Sequence, residues 1–108
     1  MAHYLVSATP RPDLIRDLEE RLSLGEFESL RPFGEEVSEC LRNARYNPDG
    51  TAVWEEEDYC RPPLAQERAA VLDKYFDEIR VEPVKEGEGW ERIAQLPALF
   101  PSLRTPTR

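Results

Sequence analysis

Basic charge is what this sequence has least of. Its 14 Lys and Arg residues are set singly among 22 Asp and Glu, for a net charge of −8. Nucleic acid demands a basic stripe to neutralise phosphates, and an anionic membrane demands one beside an apolar face, so neither partner is expected. Long apolar runs are lacking as well. The opening MAHYLVSATPRP has neither a charged leader nor an extended apolar stretch, and no run approaches a bilayer span, which points to a cytoplasmic protein. The two cysteines, Cys40 and Cys60, and the one histidine, His3, show no zinc-site spacing, so no metal and no cofactor is expected. Both thiols read as small buried hydrophobes, although Arg61 beside Cys60 would lower its pKa. The five glycines are dispersed and form no phosphate cradle, and no nucleophile elbow occurs.

What remains is an ordinary globular composition, 40% hydrophobic and 33% charged, in 108 residues. That is enough for one core. We expect a single domain over 1–96 and a proline-containing tail over 97–108, its last residues TPTR disordered. His3 to Thr9 alternates as a strand that Pro10 and Pro12 end. Leu14, Ile15, Leu18 and Leu22 then share one helical face over 12–24, with Gly25 as the stop. A second short helix is predicted over 34–42 and a short strand over 42–47. NPDG at 47–50 carries the residues a hairpin turn requires. After the second hairpin strand, Pro62 and Pro63 open a long helix that places Leu64, Val71, Leu72, Tyr75, Phe76 and Ile79 on one face. Arg80 to Lys85 reads as a last strand, and Pro83 assigns it to a sheet edge. WERIAQL at 90–96 would add one or two helical turns with Trp90, Ile93 and Leu96 inward.

The order of elements gives the fold class α+β, a ferredoxin-like βαββαβ domain with a four-stranded antiparallel sheet and its helices on one face. In that arrangement the first and third strands are central and the last is on an edge. A chain that opens HYLVSA and closes its last strand IRVEPV resembles, over roughly residues 3–84, the small dimeric α+β-barrel proteins, the muconolactone-isomerase-like superfamily. The resemblance implies a homodimer with two sheets face to face around a small-molecule cleft, and proton transfer by a His or Asp in several members.

The densest chemistry is WEEED at 54–58. On a strand, Trp54, Glu56 and Asp58 share one face while Val53, Glu55, Glu57 and Tyr59 share the other, so the four acids cannot converge on one ion. With the hairpin closing at Asn47 and Thr51, Arg42 falls opposite Glu56, and that ion pair is expected. Trp54 directs its face toward the helices. Glu55 and Glu57, with His3, are therefore the candidate catalytic residues on the opposite face, and Tyr46 and Tyr59 the candidate ligand-binding residues. The expected function is a homodimeric binder of a small molecule or an accessory protein. Two alternatives stand beside it, a cofactor-independent enzyme using carboxylates for proton transfer, and an interaction module docking through Leu99, Phe100 and Leu103.

Overall fold

In the computed structural model, which describes residues 2–103, four strands form one antiparallel sheet in the order β2-β3-β1-β4. These are β1 (Ala2–Pro10), β2 (Arg45–Tyr46), β3 (Ala52–Asp58) and β4 (Phe76–Val84). The first and third are central and the last is on an edge, where Pro83 needs no ladder partner on its outer side. The turn forms as its residues require: Asn47 donates to the Thr51 carbonyl at 2.8 Å, Asp49 accepts from Thr51, and Gly50 has φ of 92°. The expectation of disorder at 105–108 falls outside the described residues.

Helices α1 (Ile15–Ser23) and α2 (Gly34–Arg42) lie on one face of the sheet, joined there by a helical stretch made of α3 (Ala65–Glu67), a π-turn (Arg68–Leu72) and α4 (Asp73–Tyr75). Their stripes meet Val6, Ala8, Ala52 and Trp54 in one core. Trp54 is fully buried, 5.3 Å from the Phe76 ring centroid to centroid. Its truncation to Ala would cost about 3–5 kcal/mol.

Several boundaries are corrected. The first helix starts at Ile15, because residues 11–14 form a separate turn in which Leu14 and Ile15 donate to the Arg11 carbonyl. The strand expected over 42–47 shrinks to Arg45–Tyr46, since Arg42 remains the last residue of α2. The long helix ends at Tyr75. Phe76 to Ile79 satisfy a helical period, yet they join β4 and pair with the far end of β1, Pro10 opposite Phe76 and Thr9 opposite Asp77.

Helices on one face is corrected too. A fifth helix, α5 (Glu88–Arg92), lies on the opposite face, where the Glu55 carboxylate of β3 receives its backbone N–H groups. Ile93 is buried behind it and Leu96 is half-buried. The tail then returns along the outer side of β2: Tyr46 donates to Pro97, Leu99 donates to Ala44, and Arg45 bridges to Ala98. Phe100 enters the core, with Leu99 and Leu103 packed against it. These three apolar residues are thus covered by their own chain. Among the described residues no helix is long and apolar enough to cross a membrane.

Candidate functional site

Strand β3 carries its acids to both faces, and each pair meets a different fate. On the α5 face, register places His3 opposite Glu57. The imidazole lies between two carboxylates, Nδ1 3.5 Å from Glu55 Oε2 and Nε2 3.5 Å from Glu57 Oε2. The expected trio His3, Glu55 and Glu57 is therefore brought together, beside a cavity of about 320 Å³ that Glu36, Glu86 and Trp90 also line. Glu55 is nevertheless committed to structure. Its oxygens accept N–H groups from Gly87 at 2.8 Å, Gly89 at 2.7 Å and Trp90 at 3.2 Å, which fastens α5 to the sheet.

Tyr46 and Tyr59 do not meet. Tyr46 pairs with Ala52 at one end of β3 and Tyr59 follows its other end at Asp58, about 20 Å away at strand rise. Tyr59 does line a cavity of about 510 Å³, with Pro32, Phe33, Glu36, Gln66, Glu67 and the Glu57 and Asp58 carboxylates of β3.

On the helix face the expected Arg42–Glu56 pair is absent. Arg42, held in α2, bonds instead to Glu28 and to the Leu22 carbonyl at 3.1 Å. Glu56 is 1% exposed, accepts the Trp54 indole N–H at 2.9 Å on Oε1, and shares a hydrogen bond with the carboxyl of Glu67. Its nearest ionisable neighbour is Glu67 of α3, itself 1% exposed. Glu67 lies between Leu64 and Val71 on the buried stripe of its helix, a carboxylate interrupting an apolar pattern. That interruption is the signal the sequence carries for this buried acid.

Asp58 completes the group. Its Oδ2 accepts N–H groups from Leu64 at 2.5 Å and Cys60 at 3.0 Å, bending the chain from β3 into α3. Leu64 is fully buried at φ of 64°, a costly conformation for a γ-branched residue that this anchor holds in place. Cys60 turns its Sγ to within 3.9 Å of Glu67 Oε1. One donor atom each from Asp58, Cys60 and Glu67 lies within 4.8 Å of the others. The expectation of Cys60 as a packed hydrophobe is thus corrected to a polar setting, while Cys40 is buried in the core as expected.

The electrostatics follow from burial. Loss of water pushes Glu56 well above the usual carboxylate range; the Trp54 N–H opposes this and Glu67 adds to it. Burial, then Asp58, raises Glu67 to about 7. Burial works the other way at Asp58, but its hydrogen-bond donors outweigh it and hold the carboxyl below the usual range. The Gln66 N–H favours a Cys60 thiolate, yet desolvation and the Asp58 charge raise the thiol, so a free Cys60 is a weak nucleophile. Comparison with protein-family models, with curated proteins and with solved structures gave no match.

Proposed function

We propose that this chain is a ferredoxin-like small-molecule-binding domain whose ligand enters the cavity between the start of α2, the end of β3 and α3. The strand order β2-β3-β1-β4, all neighbours antiparallel, supports the ferredoxin-like reading. One observation carries the ligand class. Glu36, Glu57, Asp58 and Glu67 face this cavity of about 510 Å³ beside Pro32, Phe33 and Tyr59, and no basic residue is among the described residues lining it. A concave space with converging acids and an apolar wall suits a cationic or hydrogen-bond-donating molecule with an apolar part.

The homodimer implied by the family resemblance is retained with a different interface. The α5 helix occupies the sheet face on which a partner sheet would stack, which leaves the outer side of β4 as the open ladder. Sedimentation of the full chain should give twice the monomer mass; a monomer at micromolar concentration would remove the dimer without touching the cavity, whose lining comes from one chain.

Ligand-observed NMR tests the cavity. A panel of aryl-alkyl amines and the matching carboxylates is added to the chain in EDTA. Binding of amines over carboxylates, lost in Tyr59→Ala or Phe33→Ala protein that still folds, is the expected result. Preference for carboxylates, or binding indifferent to both substitutions, would refute the proposal.

A further inference from the structure

We infer that the homodimer proposed above, on which this reading rests, forms by antiparallel pairing of β4 with β4 of a second copy about a two-fold axis at Val81, so that Arg80 of each chain lies opposite the partner's Glu82. In an antiparallel ladder a residue turns its N–H and C=O to one neighbouring strand, and the next residue turns them to the other. The Asn47 bond to the Thr51 carbonyl directs Thr51 and Val53 toward β2, hence Ala52 and Trp54 toward β1. Val6, opposite Trp54, then faces β3, and its neighbours Leu5 and Ser7 face β4. Their partners Glu82 and Arg80 face back to β1, which turns Ile79, Val81 and Pro83 outward. Among the described residues no strand lies beyond β4, so Ile79 and Val81 present donors and acceptors with no ladder to join.

The side chains of this edge select its partner and its register. On the helix side of the sheet Val81, opposite Val6, is 37% exposed, with Ile79 half-buried and Pro83 exposed in the same row. Lysines commonly guard such a row, and β4 has none. On the other side Arg80 and Glu82 are exposed. Arg92 holds Glu82 at 2.7 Å, whereas Arg80 forms no salt bridge among the described residues. Outward residues must meet outward residues, which leaves few axes. One at Arg80 or at Glu82 sets that residue opposite its own copy, like charge against like. One at Ile79 needs Glu78 in the ladder, and φ of 51° with the register shift between Ser7 and Thr9 takes Glu78 out of extended conformation. An axis at Pro83 would oppose two residues without an N–H. The axis at Val81 puts Arg80 opposite Glu82 on both sides, sets the two Val81 side chains together and Ile79 against Pro83. Val81 then exchanges hydrogen bonds with the partner's Val81, and Ile79 donates to the partner's Pro83. The opposite sheet edge is covered by the chain itself, through the Tyr46 bond to Pro97 and the bridge from Arg45 to Ala98. A single free edge that is self-complementary about a two-fold gives a closed dimer, not a fibre.

Wild-type protein supplies the first test. Over a dilution series, hydrogen exchange should show the Ile79 and Val81 amides protected where the chain sediments as a dimer and unprotected where it sediments as a monomer, with Arg80 and Glu82 protected throughout. In Cys60→Ser protein, Val81→Cys should form a disulfide-linked dimer on mild oxidation, because directly opposite residues lie about 5.5 Å apart between Cα atoms. Pro83→Cys in the same background, about 14 Å from its symmetry mate at strand rise, should not. Arg80→Glu should weaken dimerisation about tenfold, and combining it with Glu82→Arg should recover the dimer, a rescue that a mere change in fold stability would not produce. A dimer in which Val81→Cys links no faster than Pro83→Cys, or whose Ile79 and Val81 amides stay unprotected, would overturn the inference and leave the homodimer standing; a monomer at every concentration would overturn both. Protection of those amides in a monomer would give the edge to another part of the same chain and overturn the inference equally.

Discussion

The Trp54 indole donates to Glu56 two residues along the same strand, at 2.9 Å, inside the core. Side chains at i and i+2 share a strand face, so the bond needs no tertiary help to form. It ties a buried acid to the largest core residue. Glu56→Leu should therefore cost little or even stabilise the protein, because it replaces an acid lacking a cationic partner by an apolar group of similar size. Glu56→Gln keeps an acceptor for the indole and should lie within ~1 kcal/mol of wild type. Urea denaturation in EDTA measures both; losses above ~3 kcal/mol would mean that the carboxylate is stabilising as it stands.

Acid groups raised by burial make the fold bind protons more tightly than the unfolded chain does. For Glu67 the ordinary value is 4.5 and the folded value about 7. Its stabilising contribution is complete below the first and lost as pH rises through the second. Glu56 acts in the same direction. Asp58 and Asp17, held below the usual range, act oppositely and lose their contribution as pH falls through the acid range. Calorimetry in EDTA should find a higher melting temperature at pH 5 than at pH 8. Glu67→Gln should flatten that slope, and an unchanged slope would assign it elsewhere.

The α5 helix depends on one carboxylate. Glu55→Ala removes the acceptor for the Gly87, Gly89 and Trp90 N–H groups, and a loss of ~2–4 kcal/mol is expected. Hydrogen exchange should show those three amides losing protection together. Gly89→Ala attacks the same contact sterically, since a Cβ there would meet Glu55 Oε1 at 2.9 Å and Leu5 Cδ1 at 3.3 Å. It should destabilise by ~1–3 kcal/mol.

Arg42 serves the helices and not the strand. A double-mutant cycle of Arg42→Ala with Glu28→Ala should give a coupling of ~0.2–1 kcal/mol, as exposed pairs do. The cycle with Glu56→Ala should give none beyond error. Coupling of the second pair at the size of the first would restore the cross-strand bridge.

Sequence alone determined what depends on local period and turn chemistry. NPDG dictated the hairpin, alternation put Glu55 and Glu57 on one face of β3 and Glu56 and Asp58 on the other, and Pro83 marked an edge strand. Where the helical period of the apolar residues predicted a helix over 76–79, hydrogen bonds from distant β1 prevailed, because pairing energy across the sheet outweighs a propensity difference of tenths of a kcal/mol. Only the tertiary structure decided which acids are enclosed. A period assigns a residue to a face; it does not say what packs against that face. The placement of α3 beneath β3 set Glu67 against Glu56 and Cys60, and the return of α5 closed the other face over Glu55. Those contacts join residues of different elements, and their cost or benefit exists only once water has been removed from between them.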